Sequence, residues 1–374
     1  MRGHEKAGSL RKTEILKLAL RSLSDQESSQ KWKQYRSERG QLKRLRKEFE
    51  RSSSVFRNLH RVCLKRAQPV VEPIALISQI QRSGGHLLRD LFDGHQELHT
   101  HSYELKIGKP KWIWPKIDLN DGPERWFETL FETDVIDHFR NRAEKRRTPN
   151  HDGFPFVFLP SLQARIFRSY IDSLATVRLR DVFDAYMTSY FNAWLNNQNK
   201  SGQKKFVTVF TPRLAMIQES VESFFQIYPD GRLISIIRDP KNWYSSALRH
   251  KSKAYYDILE AVTLWKKSAL AAVLNKRTYG QRTCIIKFED LVGKTEAVMR
   301  HLAQFLGIRF DPILLVPTFN KSPIEANTSF EVRERGVMMS TLSRHEMLSD
   351  DQLEIIESIT TEDYRTVLNY VQRF

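Results

Sequence analysis

The sequence is poor in cysteine, with only Cys63 and Cys284 among its 374 residues. Two cysteines cannot form the disulfide framework of a small secreted domain, and this pair lacks the close spacing of metal ligands. Long apolar runs are also missing, since none approaches the ~18 residues that cross a bilayer. The apolar segment at residues 15–21 is interrupted by charge and is not a signal-peptide core. We therefore expect a soluble, cytoplasmic protein.

Negative charge is scarce near the N-terminus. Residues 1–70 contain 19 lysines and arginines against 7 aspartates and glutamates, which accounts for +12 of the net charge of +16. Leu42, Leu45 and Phe49 are spaced as on one face of a helix, and Ser52–Ser54 are expected to interrupt it. We predict a basic helical N-terminal arm over residues 1–70 and a main domain over residues 71–374. The arm is either a solvated surface or a contact with an anionic membrane surface. No nucleic acid is expected, because no DNA-binding motif is present.

After residue 70 the pattern alternates between short apolar strands and longer amphipathic helices. Such alternation predicts an α/β domain in which helices flank a central parallel sheet, as in a P-loop-like three-layer fold. The predicted strands are Ile74–Ile80, Phe156–Leu159, Phe206–Phe210, Leu233–Ile237 and Thr283–Phe288. The predicted helices are Gly85–Phe92, Pro123–Arg140, Leu179–Asn196, Leu214–Ile227, Lys241–Arg249, Ile258–Lys276, Lys294–Leu306, Asp350–Ser358 and Thr361–Val371. The last two begin with capping-box spacing, Ser349 with Gln352 and Thr360 with Asp363.

The segment Pro73–Leu88 reads as a buried strand, a tight glycine turn and the start of a helix. Free N–H groups and the helix dipole make such a turn an anion site, and Arg82 adds a forked cation there. The turn resembles an ATP-binding P-loop, but His86 and Leu87 stand where a Walker loop has Lys and then Ser or Thr. Phosphate binding without the residues for magnesium indicates a different nucleotide donor. Alternatively, Gly84 and Gly85 only let the helix pack close to the sheet.

A second segment joins a continuous apolar strand, Leu233–Ile237, to Arg238-Asp239-Pro240. A helix is expected to start at Pro240, where the missing N–H costs nothing. Arg238 then lies at the carboxyl end of a central parallel strand, where open α/β sheets bind their ligands. Ser246 follows eight residues later, about two turns into the helix. The alternative is that Arg238 forms a structural pair with a carboxylate.

Two further segments are less specific taken alone. Residues 284–292 form a strand that runs into the acidic pair Glu289-Asp290, which suits a helix N-terminus. Residues 317–330 form a polar, aromatic loop without periodicity. Together and in this order, the four segments resemble the sulfotransferase family that uses 3′-phosphoadenosine 5′-phosphosulfate (PAPS). Arg82-Ser83-Gly84 is closer to the bacterial, carbohydrate and tyrosylprotein branches than to the aryl branch, which has Lys-Ser-Gly.

The resemblance implies roles for particular residues. The residues that would hold the 5′ end of the donor are Arg82, Ser83, Gly84, Gly85, His86 and Leu87. Arg238 and Ser246 would hold its 3′-phosphate, and Asn327 and Ser329 would belong to a loop that closes over it. The family usually has Thr or Ser where Gly85 and His86 stand, so His86 either replaces a phosphate-binding hydroxyl or points away.

The acceptor hydroxyl needs a base. In the tyrosylprotein branch this is a Glu shortly after the helix that follows the glycine turn, and Glu104 lies in the matching region. His101 and His99 are alternative bases, and a further alternative is that Glu104 is purely structural. Trp112, Trp114, Trp126 and Phe127 are either an acceptor platform or core, while Lys106, Lys109, Lys111 and Lys116 would suit an acidic acceptor.

We therefore expect a PAPS-dependent sulfotransferase that needs no metal, releases adenosine 3′,5′-bisphosphate and acts on the hydroxyl of a carbohydrate or other small molecule. Catalytic roles are expected for Glu104 and for Arg82, whose guanidinium would stabilise the leaving phosphate. Two alternatives stay open at this point. One is a P-loop kinase for a small molecule, and the other is a degenerate nucleotide-binding homologue that acts through its basic arm.

Overall fold

The computed structural model describes residues 43–44, 47–48, 51–108, 113–132, 156–249, 255–324, 337, 342 and 344–374. The chain divides into two compact units, Met1–Lys65 and Arg66–Phe374. Every described residue of the first unit is helical, and the helix runs without a break through Ser52–Ser54. The predicted interruption at these serines is therefore wrong, because three serines cost a helix little when the flanking residues favour it. The boundary of the basic arm at residue 70 stays a prediction.

A five-stranded parallel sheet forms the centre of the second unit, in the order β2-β3-β1-β4-β5. The strands are β1 Ile74–Ile77, β2 Leu98–Glu104, β3 Phe206–Phe210, β4 Arg232–Ile237 and β5 Thr283–Lys287. Two short antiparallel strands, β6 Thr318–Phe319 and β7 Ser322–Pro323, form a separate pair.

The central strands are apolar throughout because helices cover both faces of the sheet. In β1, Ile74 and Leu76 pack into one hydrophobic cluster and Ala75 and Ile77 into another. This alternation is the two-residue period of a strand divided between two buried faces. The prediction of an α/β fold with a central parallel sheet between helices is confirmed.

The helices of the second unit are α1 Gly85–Phe92, α2 Pro123–Leu130, α3 Pro160–Asp172, α4 Leu179–Ala193, α5 Gln218–Ile227, α6 Pro240–Leu248, α7 Ile258–Tyr279, α8 Phe288–Gly293, α9 Thr295–Leu306 and α10 Asp350–Leu368. Helices α3, α4 and α5 pack on one face of the sheet, and α1, α8 and α9 on the other. A third cluster joins α6, α7 and α10 beside β4 and β5. None of the described helices combines the length and the apolar character needed to cross a membrane.

Edge strand β2 is the longest strand that the sequence pattern missed. Its sequence Leu-His-Thr-His-Ser-Tyr-Glu is polar, yet its first five residues are buried. Tertiary hydrogen bonds make this burial possible: Thr100 Oγ1 donates to the carbonyl of Phe92 (3.2 Å) and accepts from Thr208 Oγ1 (2.9 Å). Because these partners lie far away or in another element, a pattern search along β2 does not find them.

Several other predicted elements differ from the structure. The predicted strand Phe156–Leu159 is wrong, since it contributes a single bridge from Phe158 to Trp194, and helix α3 was missed. The two C-terminal helices are one, α10: Ser349 caps it as predicted, whereas Thr360 lies inside it and bonds back to the carbonyl of Ile356 (2.7 Å). The predicted helix Leu214–Ile227 is divided into a 3-10 turn, Leu214–Met216, and α5.

Candidate functional site

The strand order reverses between the adjacent parallel strands β1 and β4. From β1 the sheet extends through β3 to β2 on one side and through β4 to β5 on the other. Ligands of open parallel sheets bind at such a switch point, beyond the carboxyl ends of the strands. The loops that follow β1 and β4 carry the two motifs of the sequence, and they meet there.

The loop after β1 ends in the glycine turn. Gly84 is the N-cap of α1 with φ +101°, a conformation that residues with a side chain rarely adopt. A Cβ atom built on Gly84 lies 2.5 Å from Cδ2 of Phe288, and one on Gly85 lies 2.3 Å from Cε2 of Phe210. Both glycines are therefore required by close contacts, and the turn keeps its backbone N–H groups at the helix start.

The start of α1 has the donors that an anion needs. Gly84 supplies no side-chain cap, so the N–H groups of the first turn are not satisfied by a capping side chain. Ser83 is buried, and its Oγ has no hydrogen-bond partner among the described residues. A buried hydroxyl without a partner is costly and indicates a ligand group at the turn. The arrangement fits a phosphate oxygen, which can accept from both.

Arg82 and Arg238 tie the two loops together. Arg82 has φ +69°, and its Nε donates to Oγ of Ser246 on α6 (3.3 Å). Arg238, which is buried, donates from Nη1 to the carbonyl oxygen of Arg82 (3.0 Å). Burial lowers the pKa of Arg82, although an arginine keeps its charge at neutral pH. Two cations and a hydroxyl from loops more than 150 residues apart thus converge on one site.

The first residue of α8, Phe288, lies between the two loops. Its ring contacts the α-carbon side of Gly84, and the guanidinium of Arg238 lies 4.3 Å from the ring centroid. The neighbouring Glu289 accepts a hydrogen bond from the backbone N–H of Asp239 at Oε1 (3.0 Å). Burial raises the pKa of Glu289. The start of α8 therefore contacts both loops of the site: the Phe288 ring packs against Gly84, and Glu289 binds the backbone of Asp239.

A supporting network around Gln81 was not found from the sequence. Trp243 donates to the carbonyl of Gln81 (2.8 Å), and Arg213 and Tyr255 both donate to its Oε1 (2.5 and 2.8 Å). This network holds the residue before Arg82 in place. Arg213 follows β3 as Arg82 follows β1, and it also has positive φ (+66°). An arginine three residues after the apolar strand β3 was the available signal.

Glu104 is the last residue of β2, which β3 and β1 separate from β4, the strand before Arg238. The Glu104 side chain lies next to α1. Its Oε1 lies 3.4 Å from Nε2 of His86, and its Oε2 lies 3.5 Å from Nζ of Lys106. The His86 side chain also packs edge-on against Phe210 (5.0 Å between centroids) and Tyr103 (6.0 Å). Glu104 is paired with Phe210 in the sheet register. A partly buried carboxylate thus lies beside the glycine turn.

A profile of the sulfotransferase family matches residues 73–312, more than half of the chain. The chain belongs to the sulfotransferase family. Solved structures similar to this sulfotransferase include the sulfotransferase domain from the curacin biosynthetic pathway, at 17% identity and a TM-score of 0.42 over 78% of this chain and 98% of that chain. The sulfotransferase domain of the Synechococcus PCC 7002 olefin synthase is 19% identical, with a TM-score of 0.41 over 78% and 95%.

A third similar structure is mouse sulfotransferase SULT7A1 complexed with PAP, at 12% identity and a TM-score of 0.38 over 82% of this chain and 91% of that chain. No curated protein sequence matches that of this sulfotransferase. The family match establishes sulfuryl transfer as the class of reaction.

The alternative bases lie away from the glycine turn in this sulfotransferase. His101 is fully buried, with Nδ1 donating to the carbonyl of Tyr103 (3.0 Å) and Nε2 3.2 Å from Oε2 of Glu132. His99 is buried against Phe191, and burial lowers its pKa to about 3. Both histidines are held inside the domain, which leaves Glu104 as the candidate that stands beside the loop.

Most of the other residues predicted from the sequence either pack into the core or lie outside the described residues. Leu87 is half-buried and packs into the core, so only its backbone is available to a ligand. Trp114 and Trp126 are core residues, and Phe127 packs against the same hydrophobic cluster. Asn327 and Ser329 lie outside the described residues, as do Trp112, Lys109 and Lys111.

Proposed function

We propose that the protein transfers the sulfuryl group of PAPS to the hydroxyl of a carbohydrate or other small molecule and releases adenosine 3′,5′-bisphosphate. The observation that supports this most strongly is the junction of Arg82, Ser246 and Arg238. It combines a glycine turn suited to one phosphate with a buried arginine and a serine suited to another.

The donor supplies an activated sulfuryl group and a phosphate as its leaving group. In the proposal the N–H groups after Gly84 and the hydroxyl of Ser83 bind the 5′-phosphate. Arg238 and Ser246 bind the 3′-phosphate, which ATP lacks. The same assignment explains why the turn has neither the lysine nor the hydroxyl with which a Walker loop holds the terminal phosphates and magnesium.

Sulfuryl transfer, like phosphoryl transfer, depends mainly on positioning and on the stabilisation of charge. The guanidinium of Arg82 stands at the turn, where negative charge develops on the leaving phosphate. A fixed donor in this position contributes about 3 kcal/mol to the stabilisation of a transition state. The left-handed backbone of Arg82 and the network around Gln81 keep that guanidinium in one place.

Glu104 is proposed to accept the proton of the acceptor hydroxyl. Its carboxylate lies at the carboxyl end of β2, beside the turn, and is only partly buried. A base must lie within hydrogen-bond reach of the proton that it takes and must be ionised beforehand. His86 lies beside one of its oxygens and Lys106 beside the other.

The experiment that tests the donor is isothermal calorimetry of the full chain with adenosine 3′,5′-bisphosphate and with ATP, in a buffer that contains a chelator. We expect tight binding of the bisphosphate and weak or no binding of ATP. Equal affinity for both nucleotides, or binding of ATP only when magnesium is added, contradicts the proposal and favours a kinase. If neither nucleotide binds, the chain is a degenerate homologue.

A further inference from the structure

His86 occupies the second position of α1, directly after the glycine turn. Its imidazole faces the carboxyl ends of two strands. Nε2 lies 3.4 Å from Oε1 of Glu104 on β2, and the ring contacts Phe210 on β3. One titratable side chain therefore connects the helix that begins at the proposed phosphate site with the proposed base.

The carboxylate of Glu104 lies between the His86 ring and the side chain of Lys106. Lys106 approaches Oε2 (3.5 Å) and also lies over the ring of Tyr103, with Nζ 5.1 Å from the centroid. The contact that bears on the charge of His86 is the one with Glu104, because a carboxylate at this distance favours the protonated ring.

We propose that His86 is a positioning residue that couples donor binding to Glu104 through a proton. This inference rests on the proposed function. A phosphate at the glycine turn adds negative charge beside α1 and favours the protonated form of His86. The protonated ring then holds Oε1 of Glu104 more strongly, so the base is fixed in place once the donor is bound.

Coupling of this kind is reciprocal. If the nucleotide increases the affinity of His86 for a proton, then a proton on His86 increases the affinity of the site for the nucleotide by the same factor. Since an unperturbed histidine titrates near pH 6.5, the coupling acts close to neutral pH. It also gives a role to a residue that stands where the family usually has a hydroxyl.

The test is calorimetry of adenosine 3′,5′-bisphosphate binding in two buffers of different ionisation enthalpy, which yields the number of protons taken up. We expect uptake of a fraction of a proton, with a maximum between about pH 6 and pH 8. His86→Gln keeps a donor near Oε1 but cannot titrate, so this maximum disappears while binding persists. In Glu104→Gln the maximum moves to lower pH by about one unit, because the carboxylate no longer favours the protonated ring.

His301→Gln is the matched control, since His301 contacts Cys284 and Phe374 rather than the turn, and its uptake curve should coincide with that of the parent. Identical curves for His86→Gln and the parent overturn the inference while the measured binding leaves the proposed function intact. An unshifted maximum in Glu104→Gln also overturns it. Loss of all nucleotide binding in the parent protein instead overturns the proposed function, and the inference with it.

A second readout needs no nucleotide. The titration of the His86 ring is followed by NMR in the free protein, with its signal assigned by loss in His86→Gln. We expect Glu104→Gln to lower the midpoint and Lys106→Met to raise it. A midpoint that neither substitution moves shows that the contact between His86 and Glu104 does not exist in solution.

Discussion

Nη1 of Arg238 donates a hydrogen bond to the backbone carbonyl oxygen of Arg82, 156 residues earlier in the chain. The bond joins the loop after β1 to the loop after β4 at the centre of the sheet. Arg82 reaches back with its own side chain to Ser246. Each of the two proposed phosphate sites therefore contributes to the geometry of the other. A substitution in one loop should weaken the binding of phosphate groups at both.

Replacement of Arg238 by alanine removes the proposed contact with the 3′-phosphate. We expect adenosine 3′,5′-bisphosphate to bind roughly 30-fold more weakly, which is about 2 kcal/mol for a hydrogen bond to a charged group. The preference for this nucleotide over adenosine 5′-phosphate should fall with it. Arg300→Ala, an exposed arginine paired with Glu296, is the control and should bind as the parent does. Undiminished preference for the bisphosphate in Arg238→Ala rules out the assignment.

The substitution Gly84→Ala tests the glycine turn. A side chain at φ +101° costs about 1–3 kcal/mol, and the new methyl group meets the ring of Phe288. We expect a lower melting temperature in a thermal unfolding scan and loss of nucleotide binding. Gly293→Ala on α8 is the matched control, because no atom lies within 4 Å of a Cβ there. Equal melting temperatures for both variants and the parent would show that position 84 accepts a side chain without strain.

Glu104→Gln removes the proposed base but keeps the size of the side chain. We expect the rate of sulfuryl transfer to fall by about 10²–10⁴, while adenosine 3′,5′-bisphosphate still binds. The measurement is transfer of radiolabelled sulfate from PAPS to a panel of hydroxyl compounds. Glu124→Gln at the exposed start of α2 serves as control. A normal rate of transfer in Glu104→Gln would show that another group accepts the proton of the acceptor hydroxyl.

Asp184 on α4 predicts a specific dependence of stability on pH. Burial raises the pKa of Asp184 to about 7, although Tyr228 donates to its Oδ1 (2.9 Å) and Arg180 lies 3.5 Å from Oδ2. In the unfolded chain an aspartate titrates near pH 3.9. The folded protein therefore binds this proton more tightly, so the contribution of Asp184 to stability is largest below about pH 4 and is lost as the pH rises towards 7.

Asp184→Asn removes this dependence because an amide does not titrate but can still accept from Tyr228. Urea unfolding of both proteins between about pH 5 and pH 8 should show the parent losing up to about 1.4 kcal/mol per pH unit relative to the variant. Parallel curves across this range contradict the raised pKa. Other groups, such as His99, titrate in both proteins and cancel in the difference.

The parts of the fold that the sequence predicted well have local causes. Gly85–Phe92 and Phe206–Phe210 were predicted with the bounds that the structure shows, since a glycine turn or an uninterrupted apolar run marks them. Strand β2 was missed because its polar residues are buried by partners elsewhere in the chain. The prediction divided helix α10 at Thr360. The Thr360 hydroxyl instead donates to a carbonyl within the helix and caps no helix start.

In the candidate site too, features with a local cause were predicted and contacts between distant elements were not. Arg82, Arg238 and Ser246 were proposed from their positions after a strand or beside a glycine turn, and the structure brings the three together. The contact between His86 and Glu104 and the network around Gln81 depend on the register of β2 and on packing between elements. No spacing in the sequence carries that information.

The position of β2 at the edge of the sheet separates the two halves of the proposed chemistry. The strands that precede the two loops of the proposed nucleotide site, β1 and β4, pair on both sides, whereas β2, which ends in Glu104, pairs with β3 alone among the described residues. An edge strand has a hydrogen-bonded neighbour on one side only, so a change at its end disturbs fewer backbone hydrogen bonds than a change in a central strand. If the proposed function holds, the acceptor side of the site can therefore vary at β2 while the loops after β1 and β4 keep their geometry.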